Sequence, residues 1–465
     1  MPIATVNPAT GETLRTFDAL GADEVERRIT RAHNAFTAYR ATGLAHRARL
    51  LERAADLLDE ERAACARTMT LEMGKPVAAA RAEAAKCAKT MRWYASRAAE
   101  LLADEHPAPA DTEDSGAARV VVRYRPLGPV LAVMPWNFPL WQVVRFAAPA
   151  LMAGNTVLLK HASNVPQTAL RLEDLFRRAG YPEGCFQTLL VGSGAVEGIL
   201  RDRRVVAATL TGSEPAGRSV AAIAGDEVKR TVLELGGSDP YLVMPSADID
   251  RAAATAVTAR TQNNGQSCIA AKRFLVHTDV HDAFCDRFTE AMRSLTVGDP
   301  LEESTDIGPL ALEQGRADLE ELVDDAVGRG ARVLTGGRRP PERTEGWFYE
   351  PTVLTGIDAT MRIHREETFG PVATVHRVAN AAEAVALAND TPFGLSSSAW
   401  TRDEDEMALF ARDIEAGGVF FNGMTASHPA LPFGGVKRSG YGRELSGHGI
   451  REFCNVTTLW YGPGS

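Results

Sequence analysis

Cysteine is scarce in this chain of 465 residues. The six cysteines stand at positions 65, 87, 185, 268, 285 and 454, with no C-x-x-C pair among them. That excludes a disulfide scaffold and points to a reducing compartment, so a cytoplasmic location is expected. The two N-x-T sequons, at Asn389 and Asn455, are then chance matches. Long apolar runs are missing as well. The most apolar region, 129–154, is interrupted by Pro135, Pro139, Arg145 and Pro149, so no membrane partner is expected. The first ten residues have neither a basic start nor an apolar stretch, and no secretory leader is expected. Basic residues are in deficit, 51 against 60 acidic ones, for a formal net charge of −9. A nucleic-acid partner, which calls for a basic face, is not expected. Internal repeats and low-complexity segments are absent.

What is present is ordinary globular material: 45% hydrophobic and 24% charged residues, enough for a sizeable core and for two or three domains. Residues 22–105 are rich in Ala, Arg, Glu and Leu, and Val25, Ile29, Ala32 and Phe36 recur at helical spacing. Gly74-Lys75-Pro76 breaks that run. A surface connection is expected over 106–116 and a β-prone ribbon over 119–125. From Pro129 the pattern changes. Strands expected over 130–134, 157–160, 186–190, 205–210 and 231–235 alternate with helices expected over 140–152, 166–178, 195–201 and 215–224. That order predicts a parallel, doubly wound α/β sheet with its ligand beyond the carboxyl ends of the strands. Further strands at 241–244, 273–277, 372–377 and 418–421 predict a second α/β domain. The tail, 453–461, is again β-prone. As an isolated terminal strand it needs a partner, expected in another subunit.

Four short stretches carry the chemical information. Pro135-Trp136-Asn137-Phe138-Pro139 follows a strand, and its prolines make a rigid turn around an amide. Leu233-Glu234-Leu235-Gly236-Gly237 ends an apolar strand on a carboxylate. Asn264-Gly265-Gln266-Ser267-Cys268 sets a cysteine shortly after a glycine. Glu366-Glu367-Thr368-Phe369-Gly370-Pro371 is the fourth. In this order, together with Asn7-Pro8-Ala9-Thr10-Gly11-Glu12 at one end and Phe433-Gly434-Gly435-Val436-Lys437 at the other, they resemble the aldehyde dehydrogenase superfamily over nearly the whole chain. Within it, Lys160-His161-Ala162-Ser163-Asn164-Val165 and Glu234 to Pro240 are similar to the short bacterial succinate-semialdehyde dehydrogenases.

The resemblance implies a Rossmann-type doubly wound cofactor domain (1–114 and 128–234), an α/β catalytic domain (235–446) and a β-rich oligomerisation arm (115–127 and 447–465). It also implies a homodimer or homotetramer. Cys268 matches the nucleophile. A thiolate adds to a planar aldehyde and gives a tetrahedral thiohemiacetal that has a hydride to lose. Asn137 matches the donor that, with the Cys268 N–H, holds the oxyanion. Glu234 matches the general base that activates water against the thioester. The acylating, coenzyme-A-using branch generally lacks that glutamate, so a free acid is the expected product.

For the cofactor, Gly212 and Ser213 open a helix whose N-terminus suits a diphosphate. Trp136 and Leu235 are expected to line the nicotinamide region, Glu367 to bond its ribose, and Phe369 to pack beside it. Where many NAD-preferring members carry a glutamate, this chain has Ser163, with Lys160 nearby. A small hydroxyl and a lysine accept a 2′-phosphate that a carboxylate repels. NADP is therefore expected, with NAD the alternative. The run Gly192-Ser193-Gly194 to Gly198 is spaced G-x-G-x-x-x-G, off the dinucleotide fingerprint, and reads as a helix-opening turn.

For the substrate, Arg145 matches an arginine that binds the carboxylate in succinate-semialdehyde dehydrogenases. Gln262 stands where a second arginine is usual, and Gln142, Gln262, Ser427 and His428 offer replacement hydrogen bonds. His277 and His281 straddle a strand end, so no metal is expected. Three alternatives stay open on the sequence: another small aliphatic or aromatic aldehyde, a non-catalytic binding protein on the same scaffold, and a cysteine hydrolase.

Overall fold

Two mostly parallel sheets organise the computed structural model, which describes residues 2–108 and 111–463. Residues 109–110 of the expected connection and 464–465 of the tail lie outside the described residues. The first sheet runs in the order Gly440–Tyr441, Arg230–Glu234, Ala207–Thr211, Pro129–Met134, Thr156–His161, Phe186–Thr188. Its strands are parallel except for Gly440–Tyr441, which pairs antiparallel with the strand ending at Glu234.

The apolar run at 129–134 is continuous because the strand is covered on both faces. Val130, Ala132 and Met134 enter one core with the helix Trp141–Ala153, while Leu131 joins Ile29, Leu158, Leu210 and Leu233 in another. Side chains alternate across a strand, which is what divides them. The helix Trp141–Ala153 is buried at every position, so Gln142 and Arg145 are carried into the interior. The helical region 22–105 forms four helices, Ala22–Tyr39, Leu44–Glu60, Arg62–Met73 and Val77–Leu101. The third ends at Gly74, in left-handed conformation, as its sequence requires.

The second sheet runs Arg332–Thr335, Thr352–Thr355, Val372–Val378, Ala271–His277, Asp239–Val243, Ser397–Trp400, Val419–Phe421. Three of these strands, Arg332–Thr335, Thr352–Thr355 and Ser397–Trp400, went unread in the sequence. Each is only four residues long, too short for a clear period.

Two expectations change. The tail strand Cys454–Tyr461 is not isolated: it pairs antiparallel with Arg119–Pro126 of the same chain, from Cys454↔Pro126 to Tyr461↔Arg119. Gly440–Tyr441, assigned by sequence to the second domain, hydrogen-bonds in the first sheet.

Candidate active site

A cavity of about 240 Å³ lies beyond the carboxyl ends of the first sheet. Each of the four sequence stretches delivers residues to it. Pro135, Trp136 and Asn137 follow the strand Pro129–Met134. Gly212 and Ser213 follow Ala207–Thr211, and Leu235 and Gly236 follow Glu234. Cys268, Glu367 and Phe369 come from loops attached to the second sheet.

The Cys268 loop is held by backbone contacts. Asn263 and Asn264 both sit near φ 57, in the left-handed region that asparagine tolerates. Gly265 has φ +73, and a Cβ there would lie 2.3 Å from the Gly370 carbonyl oxygen. The third and fourth stretches therefore touch backbone to backbone. Asn263 Nδ2 donates to Asn137 O (2.7 Å) and Gln266 O (2.9 Å), and Asn137 Nδ2 donates to Gln266 O (3.2 Å). Lys272 Nζ donates to Ser267 O (2.9 Å) and Cys268 O (2.8 Å) and pairs with Glu367 at 3.0 Å. Of the six cysteines only Cys268 is not fully buried by its neighbours. Desolvation pushes its thiol up to about 12, with Arg145 and Lys272 pulling the other way.

Glu234 is 2% exposed, and neither of its carboxyl oxygens has a hydrogen-bond partner among the described residues. Gly434 makes room for it, since a Cβ there would lie 2.8 Å from Glu234 Oε1. Burial, then the neighbouring Glu444, push the Glu234 carboxyl well above the ordinary carboxylate range, while Arg145 and Arg443 oppose. Burial raises Glu444 likewise, against Arg145. Arg145 is ion-paired to Glu444, its guanidinium 4.6 Å from the Phe433 ring centroid. It also donates to Thr211 Oγ1 at 3.3 Å. Its expected grip on a substrate carboxylate thus meets a carboxylate of the chain already in place.

On the other side of the cavity the Trp136 and Phe369 rings meet edge to face, centroids 5.7 Å apart. Ser213 caps the helix Glu214–Asp226 in extended conformation, and no side chain takes the N–H groups of the first turn. A helix end of this kind fits an anionic diphosphate. Lys160 is 9% exposed and makes no ion pair among the described residues. Burial lowers its pKa. A buried ammonium without a counter-charge among the described residues, three positions before half-buried Ser163, fits an added phosphate better than a bare ribose. The run from Gly192 opens a short turn and the helix Val196–Arg201, as read.

The remaining candidates lie outside the lining of that cavity. Gln142 Oε1 and Gln262 Nε2 are buried without partners among the described residues. Ser427 accepts a hydrogen bond from Lys86 at 2.6 Å. His277 caps the helix Thr278–Arg293, and His281 contacts Cys285.

Sequence reasoning missed several supporting residues. Lys272, Glu444 and Arg260, which the sequence analysis did not single out, are buried. Arg260 Nη2 ties Gly265 O (2.6 Å) to Gly370 O (2.7 Å). His161 sets Nε2 2.9 Å from Pro139 O and Nδ1 3.2 Å from Met134 O, bracing the asparagine turn from one side. Only His161, adjacent to Lys160 in a quoted stretch, had a sequence signal.

The family model described as "Aldehyde dehydrogenase family" matches residues 1–459. A "Succinate-semialdehyde dehydrogenase [NADP(+)] 1" of Mycobacterium tuberculosis strain H37Rv is 64% identical over 460 residues, covering 99% of this chain and 100% of that protein. A "Succinate-semialdehyde dehydrogenase [NADP(+)]" of Mycolicibacterium paratuberculosis is 63% identical over 463 residues, covering 99% and 97%. Among solved structures, succinic semialdehyde dehydrogenase from Streptococcus pyogenes, in complex with NADP+, superposes with a TM-score of 0.95 at 34% identity, covering 99% of this chain and 100% of that one.

Proposed function

This chain belongs to the aldehyde dehydrogenase family, and from that premise we propose that it oxidises succinate semialdehyde to succinate with NADP as acceptor. The observation that carries the reaction class is the convergence of Cys268, Asn137, Glu367 and Phe369 on one cavity. The substrate and cofactor rest on the names of the close relatives.

Cys268 attacks the aldehyde carbon, and the Asn137 amide and the Cys268 N–H face the developing oxyanion. Lys272 holds the Ser267 carbonyl. In a trans peptide the following N–H points the opposite way, so Lys272 orients the Cys268 N–H away from itself. Arg145 and Lys272 favour the thiolate against burial. NADP supplies the hydride acceptor when bound. Gly212 and Ser213 would hold its diphosphate, Lys160 and Ser163 its 2′-phosphate, Glu367 its ribose, and Trp136, Leu235 and Phe369 its nicotinamide. Glu234, once ionised, takes a proton from the water that cleaves the thioester. Gln142, Gln262 and Ser427 remain the polar groups for the substrate's far end.

The division into a cofactor domain (1–114, 128–234), a catalytic domain (235–446) and an arm is retained, with Gly440–Tyr441 crossing back to the first sheet. No helix among the described residues is long and apolar enough to cross a membrane. We place the enzyme in the cytoplasm. We also propose a homodimer or homotetramer, supported by Val456 (55% exposed) and Trp460 (53%) on the ribbon strand Cys454–Tyr461. Light scattering on purified protein tests the oligomer.

The test of function follows reduced-cofactor absorbance with succinate semialdehyde and either NADP or NAD, with Cys268→Ala as control. Cys268-dependent reduction with NADP ahead is expected. No reduction with either cofactor overturns the substrate assignment.

A further inference from the structure

Of the cationic side chains near the start of the helix Trp141–Ala153 and the Cys268 loop, Arg260 is held by carbonyls and three others have a carboxylate of their own. Lys75 pairs with Glu83, Arg145 with Glu444, and Lys272 with Glu367. Lys86 makes no ion pair among the described residues. Glu83, three residues before it on the helix Val77–Leu101, is fully occupied. Its Oε1 accepts from the Leu140 and Trp141 N–H groups, both at 2.9 Å, and its other oxygen is taken by Lys75. Lys86 Nζ instead lies 4.0 Å from the Trp141 ring centroid and donates to Ser427 Oγ at 2.6 Å.

A half-buried ammonium with only a ring face and a hydroxyl for company is short of one anion. Desolvation pulls it down to about 8, Arg145 and Lys75 adding to the fall and Cys87 and Glu83 opposing it. An adjoining carboxylate reverses such a fall. The position also fits. Ser427 and Phe433 line one cleft, and Arg145, seated on the Phe433 ring, lies within electrostatic reach of both the Lys86 ammonium and the Cys268 thiol.

We propose that Lys86 is the specificity-determining counter-charge of this enzyme: its ammonium, with the Ser427 hydroxyl, receives the carboxylate of an ω-oxo acid whose aldehyde end is held at Cys268. This rests on the succinate-semialdehyde reading above. It assigns the charge recognition to a lysine for which the described residues supply no carboxylate. Trp141, packed on the ammonium, fixes its direction.

The experiment compares kcat/KM for succinate semialdehyde with kcat/KM for butanal, which has a methyl in place of the carboxylate. It uses the wild-type protein, Lys86→Met and Lys86→Arg. The wild type is expected to favour the acid. Lys86→Met is expected to cut the ratio by roughly 30-fold or more, through KM for the acid, and Lys86→Arg to restore most of it. A ratio in Lys86→Met equal to that of the wild type overturns the role of Lys86 and leaves the substrate reading standing. A wild-type ratio near unity overturns both. Should Lys86→Met be inactive on both aldehydes, protection of Cys268 against iodoacetamide reads the same site without turnover, in the wild type and Lys86→Gln. Stronger protection by succinate than by butyrate, lost in Lys86→Gln, supports the proposal, and equal protection by the two acids in the wild type overturns it.

Discussion

Arg145 and Glu444 form an ion pair from which water is almost wholly excluded, their side chains 2% and 5% exposed. One comes from the helix that follows the asparagine turn, the other from the segment that follows the strand Gly440–Tyr441. Removing either partner strands a buried charge. Arg145→Met is expected to destabilise the fold by about 3 kcal/mol or more. Arg145→Met with Glu444→Gln is expected to lose clearly less than the sum of the two single changes. Urea denaturation of the three variants checks this, and strict additivity would refute the coupling.

Glu234 contributes to the pH dependence. Its carboxyl sits well above the ordinary 4.5 in the folded chain, so the native state binds a proton that the unfolded state releases. The fold therefore loses stability as pH rises from the unfolded value through the folded one. Glu234→Gln removes that loss, and its melting temperature is expected to exceed the wild type's at pH 8 and to converge with it near pH 4. Catalysis runs in the opposite sense, because only the ionised carboxylate accepts a proton from water. Glu234→Gln is expected to slow turnover by ~10²–10⁴-fold while keeping a stoichiometric burst of reduced cofactor. Rapid-mixing absorbance measures both phases.

The sequence made the four chemical stretches legible because each needs rare local geometry: proline around Asn137, glycine before Cys268, glycine after Glu234 and after Phe369. It made the central strands legible because strands such as Pro129–Met134 are apolar without interruption. It hid Glu444, Lys272, Arg260 and Lys86. A charged residue on a helix or strand reads as solvent-facing, and only tertiary packing shows that its partner is a distant carbonyl, carboxylate or ring. The partner of Cys454–Tyr461 was hidden for the same reason, since antiparallel pairing with Arg119–Pro126 spans most of the chain.

Asn137 is expected to act mainly after binding. Asn137→Ala is expected to lower kcat by ~10²–10³-fold with a smaller change in KM, as for other oxyanion donors. Its carbonyl still accepts from Asn263, so the turn should persist. Steady-state kinetics alongside an unchanged circular dichroism spectrum checks both halves.

Ser163 is the residue proposed to set the cofactor preference. Ser163→Glu places a carboxylate near Lys160, where it competes with a 2′-phosphate for the ammonium and repels it. The variant is expected to lose about 10²-fold in kcat/KM for NADP and to move its preference to NAD. Parallel titrations of the two cofactors measure the switch, and an unaltered preference would show that the discriminating contact lies elsewhere.

The pairing of Gly440–Tyr441 with Leu233 and Glu234 bears on the order in which the protein is made. The strand bearing the proposed base lies about halfway along the sequence, yet its outer edge is hydrogen-bonded only by Gly440 and Tyr441, far later in the chain. Until then the nascent first sheet presents an open strand edge of the kind that recruits other chains. Synthesis of Gly440 and Tyr441, rather than of the cofactor-binding half, is what lets that edge close and Glu234 become enclosed.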